Sequence, residues 1–112
     1  MRMNEMAEYI RSWRESKGFH TPGSIDSDPQ TELVSDGDMM LGKLMLVVTE
    51  LSEAAEAVRH EDIQNFEEEV ADTFIRLLDI CATVEIDIER AIMTKMAINE
   101  GRKHLHGKKT AL

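Results

Sequence analysis

At 112 residues the chain has room for one modest hydrophobic core, and its net charge of −9 argues against a general nucleic-acid binder, which needs surplus Lys and Arg for phosphate contacts. Only five residues are aromatic, so the 42% hydrophobic content is mostly aliphatic, with eight methionines as gap fillers. Scarce Gly and Pro beside abundant Ala, Leu, Glu, Met and Lys favour an all-α fold, while no run is long enough for a membrane span and none has a secretory-leader pattern.

Met3, Met6, Ala7, Ile10 and Trp13 recur at helical spacing, which predicts a first helix from an Asn4 cap to about Lys17, ended by Gly18. That stripe reads as core, although Trp13, near the helix end, can instead line a base pocket. Residues 18–37 form the only long irregular segment, and loops of that length are usually functional or disordered. Phe19 and His20 in it can stack on a nucleobase or anchor the loop to the core. No glycine-rich phosphate loop is present.

The second helix is predicted from Asp36 or Asp38 to Arg59. Leu41, Leu44, Val48, Leu51, Ala55 and Val58 alternate in steps of three and four, the pattern of a packing seam. Val47 and Ala54 widen it, and a second apolar flank predicts an oligomer interface. After His60-Glu61, Asp62 caps a third helix predicted from Ile63 to Val84, with Phe66, Val70, Phe74, Leu77, Cys81 and Val84 as its stripe and Ile75 and Leu78 alongside. Cys81, the single cysteine, reads as a buried thiol in a reducing cytoplasm. The fourth helix is predicted from an Asp87 cap to about His104, with Ile88, Ala91, Ile92 and Met96 packing inward. Lys95, Asn99 and Arg102 lie at i, i+4 and i+7 and form a polar row, a pattern that is usually just solvated. From Lys95 onward five Lys or Arg and two histidines, His104 and His106, face one acid, Glu100. That tail is where phosphate ligands are expected. The two histidines are assigned no metal.

Two helices each carry a pair of carboxylates on one face: Glu50 and Glu53, and Glu69 and Asp72. Spacing alone proves little, because with 22 acids in the chain about four acid-x-x-acid pairs arise by chance, and four occur. Context separates them. Glu50 follows a largely apolar run from Leu44 to Thr49, and Asp72 lies between Val70-Ala71 and Phe74-Ile75. A carboxylate in such surroundings must be paired, protonated or metal-bound. Two packed helices can thus aim four acids at one point, read here as a magnesium site. The plain alternative for Asp72 is an i,i+4 ion pair with Arg76. Asp79, also flanked by apolar residues, reads as a partner for Arg76 or for another subunit. An acidic site and an anionic substrate are compatible, because carboxylate-held divalent cations bridge to phosphates.

Glu50-x-x-Glu53, fifteen residues, Glu69-x-x-Asp72 and then Lys95-x-x-x-Asn99-x-x-Arg102 make a larger pattern. With the frames KLMLVVTELSEAAEAV and FEEEVADTFIRLLDI and the closing HGKK, it resembles the MazG-like all-α nucleoside triphosphate pyrophosphohydrolases over about Ile10 to Lys109. The resemblance implies a single small bundle of four-helix type that forms a homodimer or a homotetramer (a dimer of dimers), the subunits sharing bundle and active site. It implies hydrolysis of a (d)NTP to the monophosphate and pyrophosphate, as nucleotide-pool house-cleaning. By position, Glu50, Glu53, Glu69 and Asp72 would bind Mg²⁺, with Mn²⁺ able to substitute; Lys95, Asn99 and Arg102 would contact the triphosphate. Glu53 or Glu50 would take the proton of the attacking water, and Phe19 and Trp13 remain candidates for the base. Where the family often opens its first motif with two adjacent glutamates, this chain has Thr49 as the first. Two other readings compete: a phosphoribosyl-ATP pyrophosphohydrolase and a non-catalytic helical interaction module.

Overall fold

The computed structural model describes residues 1–18 and 37–102. Phe19, His20 and most of the irregular segment, with His104, His106 and the HGKK end, lie outside the described residues. Among the described residues there are four helices and no strand: α1 (Met3–Ser16), α2 (Gly37–Arg59), α3 (Ile63–Thr83) and α4 (Ile88–Glu100). The fold is all-α, as expected, and none of these helices is long and apolar enough to cross a membrane.

The reversals from α2 to α3 and from α3 to α4 use one device twice. Glu61 and Glu85 take left-handed backbone conformations, with φ of 55° and 56°. The next amides then reach back, Asp62 N–H to the Ala57 carbonyl at 2.9 Å and Ile86 N–H to the Cys81 carbonyl at 2.8 Å. These bonds satisfy carbonyls that a helix end would otherwise leave open. Each turn ends on an aspartate cap: the Asp62 carboxylate accepts from the Asn65 amide and that of Asp87 from the Arg90 amide. Both caps were expected. Gly18, at φ 86°, closes α1 in the same left-handed conformation.

Asn4 does something else. The Glu5 carboxylate accepts from the Arg2 amide at 3.2 Å, so α1 starts after Arg2 and Asn4 falls inside its first turn. Its side chain is thereby released to serve a different helix. The Asn4 Oδ1 accepts from the Ile88 amide at 3.0 Å, and its Nδ2 donates to Asp87 at 2.8 Å. Asn4 pins the start of α4 to α1, and it does not cap its own helix.

α3 is the common partner of the bundle: both α2 and α1 pack along it, and α1 also meets α4. Ala7 and Ile10 of α1 bury against Leu78 and Ala82 of α3, with Met3 and Ile88 at the edge. Beside that core, the Arg14 Nε donates to Asp79 at 2.6 Å and an Arg14 amino group donates to the Thr83 hydroxyl. Both charged side chains are largely buried, and breaking such a pair commonly costs about 3–5 kcal/mol. Asp79 is therefore held within the chain by α1, not by Arg76.

The predicted α2 seam is not the buried one. Met40, Val47, Glu50, Ala54 and Ala57 are buried, while Leu41, Leu44, Val48, Leu51 and Val58 are exposed. Both stripes are apolar, and the narrower one, which reads as flank in the sequence, is the one covered. Small residues explain the choice: Ala54 and Ala57 let α2 approach α3 closely, which leucines there would prevent. Only part of the predicted α3 stripe is covered, since Phe66, Phe74 and Leu77 are exposed where Leu78, Cys81 and Val84 are buried. On α4, Ala91, Ile92 and Met96 are exposed and no residue is buried, contrary to the inward packing expected of them.

Candidate functional site

Glu50 belongs to the buried stripe of α2, at i+3 from Val47 and i−4 from Ala54, so close helix packing carries its carboxylate inward to 9% exposure. On α3, Glu69 lies one turn before the buried Thr73, whose hydroxyl donates to the Glu69 carbonyl at 2.8 Å. Asp72 follows at i+3 and stays exposed. One oxygen from each of Glu50, Glu69 and Asp72 falls within 4.8 Å of the others. Glu53, a turn beyond Glu50 and exposed, stands beside Glu69. The two acid pairs thus meet across the α2–α3 contact.

The oxygen Oε2 of Glu69 is shut off from solvent and has no hydrogen-bond partner among the described residues. Its neighbours Glu53 and Glu50 are carboxylates, which carry no hydrogen to donate. A proton, a cation or a water can satisfy that oxygen. Hydrogen bonding to Glu53, available only to a protonated Glu69, favours the neutral form most, followed by burial and by Glu50. Together they push Glu69 up to about 7. A buried, donor-free oxygen inside an all-oxygen donor set also fits a hard divalent cation, which prefers carboxylate ligands.

Basic groups border the acids. The Arg76 Nε donates to the Glu50 Oε1 at 3.1 Å. The expected Asp72–Arg76 pair is replaced by this cross-helix one, because the buried Glu50 has more to gain from a counter-charge than the solvated Asp72. Lys43 on α2 is pushed down, chiefly by burial and then by the Arg14 and Arg76 charges, with Asp79 opposing. Burial also pushes the Cys81 thiol up, which suits an inert core residue. Thr49 donates to the Met45 carbonyl at 3.1 Å, so its hydroxyl is engaged within its own helix.

A cavity of about 380 Å³ opens onto the acids, lined among others by Glu50, Asp72, Arg76, Arg14, Ile75 and Trp13. Trp13 is 52% exposed, so it is no core residue; its indole stands at the cavity wall, where the base-pocket alternative requires it. Lys95, Asn99 and Arg102 do not line this cavity. Lys95 borders a separate one with Asp87 and Arg90, Asn99 is exposed and Arg102 half-buried. Sequence reasoning did not single out Arg14 and Lys43. Their only trace there is that Asp79, an acid in an apolar frame, needs a basic partner from another element.

The profile of the MazG nucleotide pyrophosphohydrolase domain matches residues 41–106, more than half of the chain, a span containing all four acids and the Lys95, Asn99 and Arg102 row. Neither a curated protein nor a solved structure matches at a significant level.

The raised Glu69 carboxyl links stability to pH. The folded ion-free chain holds this proton to about 7, against an ordinary value of 4.5, so the stabilisation is complete below 4.5 and is lost as pH rises through about 7. The melting temperature of chelator-treated protein should fall across that window, and Glu69→Gln should flatten the fall. Parallel curves for the two proteins would show that Glu69 is not the group responsible.

Proposed function

The chain belongs to the MazG nucleotide pyrophosphohydrolase family, and from that premise we propose that it hydrolyses nucleoside triphosphates, Mg²⁺-dependently, between the α and β phosphorus atoms. The products are the nucleoside monophosphate and pyrophosphate. The observation that carries this reading is the convergence of three carboxylates from two helices, with one oxygen of each of Glu50, Glu69 and Asp72 within 4.8 Å of the others.

In this reading Glu50, Glu69 and Asp72, with Glu53 beside them, hold the ion, and Mn²⁺ can take the place of Mg²⁺. A bound Mg²⁺ neutralises phosphate charge and lowers the pKa of its coordinated water. Glu53 accepts the proton of the attacking water, since Glu50, Glu69 and Asp72 are the three whose oxygens converge as ion ligands whereas Glu53 stands beside them and is exposed. The water oxygen bonds to phosphorus as the α–β bridging bond breaks, and pyrophosphate leaves with that electron pair. Trp13, which lines the same cavity, stacks on the base. The biological setting we infer is cytoplasmic house-cleaning of the nucleotide pool, where Cys81 stays reduced.

The same reading includes a second copy of the chain. Leu41, Leu44, Val48, Leu51 and Val58 make one continuous apolar stripe exposed along α2, and Met93 and Met96 are exposed on α4. Contiguous apolar patches of that kind mark interaction surfaces. A homodimer or dimer of dimers covers them and brings Lys95, Asn99 and Arg102 to a triphosphate held at the acids, in a site shared between copies.

Two measurements test the proposal. Pyrophosphate release across canonical and modified dNTPs, with phosphoribosyl-ATP in the same panel, should detect turnover of dNTPs, and Glu53→Gln should abolish it while helical circular dichroism stays unchanged. Undiminished turnover by that variant would remove Glu53 from the chemistry. By sedimentation, the wild-type chain should run as a dimer or tetramer and Leu51→Glu should shift it to the monomer; a wild-type monomer would contradict the shared site.

A further inference from the structure

Arg76 is the one cation among the described residues seen in an ion pair with an acid of the cluster. Its partner Glu50 is nearly buried, yet the Arg76 side chain is 42% exposed and borders the cavity. Of its five N–H donors one is used on Glu50, leaving the terminal nitrogens of the guanidinium for something else. Arg14, on the same wall, differs: it is largely buried and committed to Asp79 and Thr83. One arginine is built in and the other is held by a single bond at a solvent-facing edge.

That difference has a consequence for any divalent ion entering the cluster. The ion takes Glu50 as a ligand and meets the Arg76 charge across a shared carboxylate, so cation repels cation and the Arg76–Glu50 pair weakens. An exposed, flexible arginine can leave at little cost. It then carries a positive charge, a planar set of donors and no carboxylate, beside an open cavity. Phosphate oxygens are what such a guanidinium binds best, two at a time.

Resting on the metal-site reading above, we propose that Arg76 is an exchangeable counter-ion: it holds Glu50 while no divalent ion is bound, yields Glu50 to the ion, and transfers its guanidinium to a phosphate of the incoming nucleotide. Arg76 thereby couples the two ligands. The ion frees the arginine for the phosphate, and the phosphate draws it off Glu50 for the ion. By linkage the coupling is reciprocal. Arg76 opposes ion binding when no nucleotide is present and supports nucleotide binding once the ion is in place. A residue that merely props up the fold would weaken both.

The experiment exploits those opposite signs. Mn²⁺ binding to the nucleotide-free protein is followed by calorimetry. Binding of the non-hydrolysable α,β-methylene analogues of the four dNTPs in Mg²⁺ is followed by fluorescence of Trp13, the chain's single tryptophan and a lining residue of the cavity. Arg76→Gln should bind Mn²⁺ about fivefold more tightly and the analogues about fivefold more weakly, the lower end of usual coupling strengths. Lys43→Gln removes a nearby charge but leaves the Arg76–Glu50 pair, and should shift neither by as much. Mn²⁺ affinity that Arg76→Gln leaves unchanged or weakens overturns the exchange alone, as does a Lys43→Gln variant that reproduces both shifts. A wild-type chain that takes up no Mn²⁺ overturns the metal reading and the exchange with it.

Discussion

Carboxylates pressed together repel one another and favour a positive charge among them, and the contact of α2 with α3 creates that demand. Ala54 and Ala57 bring the two helices close, and Glu50, on the same stripe, is carried in with them. Glu69 comes in from α3, with one oxygen sealed from water. Packing and charge are in conflict here: the apolar surface that stabilises the bundle is also what strips solvent from the acids. The guanidinium of Arg76 and the raised affinity of Glu69 for a proton both ease the conflict. Guanidinium and proton are replaceable, which is what a site for a divalent ion requires.

α1 completes the site without supplying an acid to it. Ala7 and Ile10 seat it on α3 through Leu78 and Ala82, and the Arg14–Asp79 pair fixes its far end. Trp13, next to Arg14, lines the cavity that Glu50 and Asp72 also line. At its other end Asn4 ties down the start of α4. One short helix thus registers both the cavity wall and the helix that carries Lys95 and Asn99.

Helix boundaries were legible because capping is local: Asp62 and Asp87 act within three residues of themselves, and the sequence shows that reach. Asn4 misled because Glu5, three residues after Arg2, captures the Arg2 amide and starts the helix earlier. Buried faces were harder to read. α2 has two apolar stripes, and hydrophobicity ranks the leucine-rich one first, while close packing selects the alanine-rich one. Ion pairs were least legible, since Arg76 has Asp72 one turn away on its own helix and pairs with Glu50 on another. Local spacing made the first pair visible, and only burial of Glu50 shows why the second wins. Asp79 was recognisable as an acid in need of a partner, but Arg14 lies 65 residues away in sequence. The two acid pairs and their meeting point were readable from their apolar frames, but not that Glu50, Glu69 and Asp72 make the tight group with Glu53 beside it, because that depends on how α2 and α3 are rotated about their axes.

The central claim is that a divalent ion, not water or arginine, is what the clustered acids are built to hold. Anomalous diffraction at the manganese absorption edge from crystals grown with Mn²⁺ tests it directly. The account predicts a single strong peak bonded to carboxylate oxygens of Glu50, Glu69 and Asp72, with the Glu50–Arg76 contact broken or lengthened. A peak elsewhere on the protein, or none with the three carboxylates turned apart, would contradict it.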